Sequence, residues 1–137
     1  MASNIAAPID GDYLLDTNFI IDAINGRHGC PETLDRLVGE GILLACCSIN
    51  ITEVYMGMRP HERAKTESFL RSLEFYPVTW ELARYAGELY NQWRTEGRTL
   101  SLPDVTIAAV CLRHNLTLMT DNRKDFPMPE LQFYPPA

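Results

Sequence analysis

The stretch Tyr13–Ile24, YLLDTNFIIDAI, changes its period half-way. Leu14 and Leu15 make the apolar run of a short buried strand, Asp16 interrupts it, and Phe19, Ile20, Ala23 and Ile24 recur at helical spacing. The segment therefore reads as strand, turn and helix, with a carboxylate at the junction. An Asp or Thr at that point caps the helix, because its oxygen satisfies an orphan N–H of the first turn. The end of a parallel strand is also where open α/β sheets present their ligand-binding side chains. Which role Asp16 fills depends on whether other acids reach the same edge.

Beyond Ile24 the alternation continues. Asn25 and Gly26 stop the first helix, and Pro31 to Val38 makes a second, ended by Gly39 and Gly41. Ile42 to Cys47 is an apolar strand, followed by a helix from Ser48 to near Met58 that ends before Pro60. A polar helix from His61 to Leu73 leads into a strand from Glu74 to Val78. Leu82, Ala86, Leu89 and Trp93 mark an amphipathic helix from Trp80 to Thr95, terminated by Gly97. Pro103 to His114 reads as a helix, Leu116 to Thr120 as a strand and Leu131 to Tyr134 as a last edge strand. This order implies an α/β chain with a central, mostly parallel sheet of about four to five strands covered by helices on both faces. There is no repeat or linker, so residues 1–137 read as one domain, with 1–11 as a short lead and 128–137 as edge strand and tail.

Composition narrows the class. With 46% apolar and 22% charged residues the chain reads as globular rather than disordered. MASNIAAPID contains no Lys or Arg and no long apolar run, and GILLACCSINIT falls short of the roughly 18 residues needed to span a bilayer. A cytoplasmic protein without membrane contact is expected. Cys46 and Cys47 are adjacent, Cys30 and Cys111 isolated, and His28, His61 and His114 scattered, which excludes the usual zinc and disulfide patterns and points to reduced, buried thiols. The net charge of -6 argues against binding nucleic acid through overall positive potential. It leaves room for acids gathered around a divalent cation.

Three further segments carry such acids. In SINITEVYMGM, Ile49, Ile51, Val54, Tyr55, Met56 and Met58 leave only a narrow polar strip of Asn50, Glu53 and Gly57, so the helix should be mostly buried with Glu53 near the sheet edge. In SLPDVTIAAVCL, Ser101 caps a helix with Pro103 in its first turn, and Asp104 shares a face with Ile107, Ala108 and Cys111. A carboxylate on an apolar face needs a charge partner or a metal. In TLMTDNRKDF, a strand ending at Thr120 delivers Asp121 and Asn122, with Arg123 and Lys124 behind them. Hard oxygen donors without His or Cys suit Mg²⁺ or Mn²⁺, completed by water and substrate phosphate.

The motifs D-T-N at Asp16, Thr17 and Asn18, T-E-V-Y-M-G around Glu53, S-L-P-D from Ser101 to Asp104, and T-D-N-R-K-D-F from Thr120 to Phe126 resemble the PIN-domain ribonucleases, most closely the VapC-like toxins of toxin–antitoxin pairs. The resemblance runs from Leu14 to Phe126. It implies a three-layer α/β/α fold and a metal-dependent endoribonuclease using Mg²⁺ or Mn²⁺. Asp16, Glu53 and Asp104 take the acidic positions, with Asp16, Asp104 and Asp121 as metal ligands. The family's T-x-(Asp or Asn) pattern falls on Asn122, so Asp121 and Asn122 both stand as candidates for the fourth position. Supporting roles go to Thr17, Asn18, Ser101, Thr120 and Asn122. The resemblance further implies a homodimer neutralised by a small VapB-like antitoxin.

Two other α/β classes gather acids at this edge, but a phospho-acceptor receiver needs an adjacent acid pair after its first strand and a dehalogenase-type phosphatase needs D-x-D. Here Thr17 and Asn18 stand in those places. A housekeeping PIN nuclease of RNA processing and a non-catalytic PIN-like binding module are the alternatives within the family. RNA is expected to be gripped by a local rim of Arg59, Arg63 and Lys65 on one side and Arg123 and Lys124 on the other. A dimer surface would come from the Trp80 to Trp93 helix or from the side of Phe69 and Leu73.

Overall fold

The computed structural model describes residues 11–135. The lead expected at 1–11 lies outside the described residues apart from Gly11, as do the last two residues of the expected tail. Along the chain run β1 (Tyr13–Leu15), α1 (Thr17–Ile24), α2 (Cys30–Gly39), β2 (Leu44–Cys47), α3 (Ser48–Gly57), α4 (Arg63–Arg71), β3 (Glu74–Tyr76), α5 (Trp80–Thr95), α6 (Leu102–His114), β4 (Thr117–Met119) and β5 (Gln132–Tyr134). The five strands form one sheet in the order β3-β2-β1-β4-β5, and every pairing is parallel.

Strand alternation sets the two faces. Leu14, Cys47 and Leu118 point to one side, where they meet Leu82, Ala86 and Leu89 of α5 and Val105, Ala108 and Cys111 of α6. Tyr13, Leu15, Cys46 and Met119 point to the other, against Ile20 of α1, Leu34 and Leu37 of α2, Val54 of α3 and Leu70 of α4. The central strands β1, β2 and β4 are buried on both faces, which is why they read as unbroken apolar runs. All four cysteines are buried free thiols. Burial pushes the Cys46 thiol up to about 12 and the Cys47 thiol up to about 11, so both stay neutral and act as small core residues. No helix among the described residues is long and apolar enough to cross a membrane.

Two expectations change in detail. The helix expected from His61 to Leu73 is split, because a 3-10 turn at Pro60–Glu62 precedes α4 and the Glu62 carboxylate accepts from the Arg59 N–H at 2.9 Å. Helix α3 is buried in part: Val54 is enclosed and Ile49, Ile51 and Tyr55 pack against the two cores, but Met56 is 80% exposed, and of the polar strip Asn50 is fully enclosed.

The sequence order reverses beside β1. From β1 the chain proceeds outward through β2 to β3, while β4 returns to the opposite side of β1 and β5 lies beyond it. Ligands of open parallel sheets bind in the crevice at such a reversal, outside the carboxyl ends of the strands. Asp16 follows β1 and Thr120 follows β4, so both stand at that crevice.

Candidate active site

Asp16 caps the helix and stands at the crevice edge. It is the N-cap of α1, one carboxylate oxygen accepting from the Thr17 N–H at 2.9 Å, while the other accepts from the Thr120 hydroxyl at 2.7 Å. The Asp16 N–H in turn donates to the Met119 carbonyl at 2.9 Å, continuing the ladder past the end of the strands. These bonds tie the ends of β1 and β4 together.

A second chain of hydrogen bonds runs from β2 to Glu53. The Cys47 N–H donates to Asn50 Oδ1 at 2.8 Å, Asn50 Nδ2 donates to Thr17 Oγ1 at 3.1 Å, and the Thr17 hydroxyl donates to Glu53 Oε1 at 2.6 Å. The geometry follows from α3 starting where β2 stops: Asn50 and Glu53, three residues apart, share one helix face and both reach the first residue of α1. Thr17 is the hinge of the string, since its hydroxyl accepts from Asn50 and donates to Glu53. Glu53 keeps its second oxygen for other work. Asn50 was visible in the sequence only as part of a polar strip, and an Asn in an apolar helix three residues before an acid is the signal that marks it.

Asp104 enters from the other side of the sheet. Ser101 is the N-cap of α6, its hydroxyl oxygen accepting from the Asp104 N–H at 3.1 Å, and Pro103 occupies the first turn. Burial raises the Asp104 carboxyl above the ordinary aspartate value; its hydrogen bond with Ser101 opposes the shift, and the nearby charges of Asp16, Asp125 and Glu53 reinforce it. Asp16 and Glu53 therefore lie close enough for their charges to act on Asp104. None of the ion pairs among the described residues involves Asp16, Glu53, Asp104 or Asp125.

Asp125 is the acid that sequence reasoning missed. It closes the 3-10 turn Arg123–Asp125 after β4, which brings it back toward Asp104, whereas Asp121 is exposed and its charge acts on Cys30 at the far flank of α1. The spacing of two acids about one turn apart in T-D-N-R-K-D-F could have found it. Asn122 sits between them, its N–H donating to the Thr120 hydroxyl at 3.0 Å.

The basic residues divide in the same way. Arg123 lies over the Phe133 ring at 5.1 Å, and Arg98, which was not singled out from the sequence, donates to the Lys124 carbonyl. These cations flank the acids. Arg63 pairs with Glu67 and faces the Tyr55 ring at 6.0 Å, and the segment around Met58 and Glu62 packs against Ile24 and Asn25 at the end of α1 remote from Asp16. Arg59 and Arg63 are thus not brought to the Asp16 edge.

The PIN domain family matches residues 13–128. This chain belongs to the PIN-domain family. Its match covers all four acidic segments, and the relatives narrow the branch to VapC-like proteins. Ribonuclease VapC19 of Mycobacterium tuberculosis is 32% identical over 120 residues, which is 87% of this chain and 96% of the relative. Among solved structures, VapBC2 of Rickettsia felis bound to a promoter DNA fragment superposes with a TM-score of 0.77 at 28% identity, covering 88% of this chain and 96% of the other. A toxin–antitoxin complex from Klebsiella pneumoniae matches with a TM-score of 0.71 at 28% identity, over 88% and 95%. The three-layer PIN fold expected from the sequence is the fold observed.

In this PIN domain the described residues contain no group of three or more His, Cys, Asp or Glu side chains already drawn close enough to cage an ion. The donor set still fits a hard cation. Mg²⁺ is usually held by one or two carboxylates with the remaining positions left to water and phosphate, and a half-buried acid without a cationic partner is the kind of group that takes it.

Proposed function

We propose that this chain is a divalent-metal-dependent endoribonuclease and the toxin of a cytoplasmic toxin–antitoxin pair. The observation that carries the reading is the gathering of Asp16, Glu53, Asp104 and Asp125 at one sheet edge, where Asp104 is half-buried and none of the four joins an ion pair among the described residues. The name ribonuclease borne by the relatives and the toxin–antitoxin complexes among the structural neighbours support the same reading.

Asp16 and Asp104 would hold Mg²⁺ or Mn²⁺, with Asp125, Asn122 or Asp121 completing the set, and Asp125 is favoured because its charge reaches Asp104. Such an ion supplies Lewis acidity toward a scissile phosphate. The chain's own residues do the positioning. The Thr17 N–H and the Thr120 hydroxyl fix both oxygens of Asp16, each with a further lone pair for a cation, and the Thr17 hydroxyl fixes one oxygen of Glu53 and leaves the other free. The free oxygen of Glu53 orients the attacking water for in-line displacement, leaving a 5′-phosphate and a 3′-hydroxyl. Arg98, Arg123 and Lys124 hold the flanking phosphates.

A VapB-like antitoxin would silence this site by placing a basic side chain among the same carboxylates, where a guanidinium can engage them by paired hydrogen bonds. The test is expression of the chain alone in a bacterium, alongside cleavage of RNA by purified protein with and without EDTA. Growth arrest that Asp16→Asn abolishes, together with EDTA-sensitive cleavage, is the expected result. EDTA-resistant cleavage overturns the metal mechanism, and healthy growth with active protein indicates a housekeeping nuclease instead.

A further inference from the structure

With Asp125 in the fourth acidic position, Asp121 is outside the metal set, and it stands beside a cavity that the proposed chemistry does not use. This cavity, about 420 Å³, opens between α1, the start of α2 and the end of β5, with Phe19, His28, Cys30, Arg36, Asp121 and Tyr134 among its walls. A second cavity of about 430 Å³ is walled by Thr120, Asp121, Asn122, Arg123 and Lys124. The two share Asp121, and the second begins at the hydroxyl that donates to Asp16. They adjoin at Asp121 and Pro135, beside the end of β4.

We propose that the cavity beside Phe19 is a nucleobase subsite, in which an unpaired RNA base adjoining the scissile phosphate presents its N–H edge to the Asp121 carboxylate. The inference rests on the ribonuclease reading and adds a selectivity to it. Phe19 is three residues after Asp16, so its ring stands within about one helical turn of the cleavage edge and offers a half-buried face for stacking. The Arg36 guanidinium is held flat from both sides, donating to the Tyr134 hydroxyl at 2.6 Å and to Glu40 at 3.2 Å. His28 is held by Asp22 at 2.9 Å. Apolar walls with a few fixed polar groups are the usual make-up of a ligand pocket, and the volume lies within the usual range. Single-stranded RNA is read in this manner, by stacking on an aromatic or guanidinium plane and by hydrogen bonds to the base edge. Guanine is the expected occupant, because it alone places two adjacent N–H groups on one edge where a single carboxylate accepts both. Arg123 and Lys124 in the second cavity receive the phosphates on the other side.

The experiment is to sequence the ends released from a random-sequence RNA pool by the parent protein and by Asp121→Asn, Phe19→Leu and Arg36→Gln. The parent is expected to enrich guanine at one position flanking the cut. Asp121→Asn should reduce that enrichment by about tenfold, Phe19→Leu should raise KM for all sequences alike, and the Mn²⁺ concentration dependence should not move in either. In an Asp104→Asn background with EDTA present, fluorescence anisotropy should show guanosine-containing oligonucleotides binding more tightly than their inosine counterparts, which lack one N–H group. A guanine preference that survives Asp121→Asn overturns the proposal. So does a shifted Mn²⁺ dependence, which returns Asp121 to the metal site, or weakened binding of a protein partner with RNA selectivity untouched. A parent that neither binds nor cuts RNA defeats the ribonuclease reading itself, whereas cleavage without base preference defeats the subsite alone.

Discussion

The two flanks of the acidic edge are built differently. On the α1–α3 side, Asp16, Thr17, Asn50 and Glu53 are joined by hydrogen bonds of 2.6 to 3.1 Å into one string anchored on the Cys47 backbone. On the α6 side, Asp104 has only its Ser101 cap and the fields of its acidic neighbours. One flank is set by the fold before any ligand arrives. The other carries negative charge that no ion pair balances among the described residues.

Substitutions on the two flanks should therefore fail in opposite ways. The largest effect is expected for Asp104→Asn, which should abolish cleavage while holding or raising the melting temperature of the metal-free protein. Because the folded-state carboxyl is raised above its ordinary value, its contribution favours the fold below the usual aspartate range and is lost as pH rises through the folded value. The stability gain of Asp104→Asn over the parent should accordingly be present at neutral pH and vanish in acid. Added Mn²⁺ should raise the parent's melting temperature but not the variant's. A variant that melts far below the parent at pH 7 would make Asp104 structural and remove the contrast between the flanks.

Thr17→Val attacks the preset flank. It removes a hydroxyl that both accepts from Asn50 and donates to Glu53, leaving enclosed amide hydrogens unpaired at a cost of about 1–3 kcal/mol. Activity should fall by about 100-fold, with Thr17→Ser restoring most of both losses. Stability and activity falling together, rescued by one hydroxyl, is the signature expected of this side. A stable but inactive Thr17→Val would detach positioning from folding.

Asp125→Asn should cost about tenfold in activity, and more than Asp121→Asn does on a substrate without guanine, which sharpens the position of the fourth acid. The smallest effect is expected on the rim. Reversing Arg123 and Lys124 to Glu should weaken RNA binding uniformly and reduce the salt slope by about one for each phosphate no longer neutralised, and an unchanged slope would place the phosphates elsewhere.

What the sequence made legible follows the same division. Asp16, Glu53 and Asp104 could be read because each is an acid that interrupts an apolar segment next to a strand end, and the parallel topology fixes where strand ends lie. The periodicity also placed β1, β2 and β4, because burial on both faces leaves their runs uninterrupted, while the exposed edge strands β3 and β5 were marked by their position between helices and turns. Asn50 was obscured because helix α3 has apolar residues nearly all round, and nothing in that pattern says that Asn50 faces inward while Met56 faces solvent. Asp125 was hidden because a tight turn after β4, which local pattern does not fix, carries its charge toward Asp104. Arg98 joins the rim from 26 residues away in sequence, a relation that local pattern does not encode.

The position of β1 in the middle of the sheet has a consequence in time. The first strand made is the one that needs partners from the far end of the chain, and the bond from Thr120 to Asp16 spans 104 residues. Contacts so distant in sequence form slowly and late, after the local helices and the nearer strand pairs. A ribosome releasing this polypeptide has exposed Asp16, Thr17, Asn50 and Glu53 long before Asp104 and Thr120 emerge. The cutting edge therefore cannot assemble until Thr120 has left the ribosome, and an antitoxin has that long to be waiting.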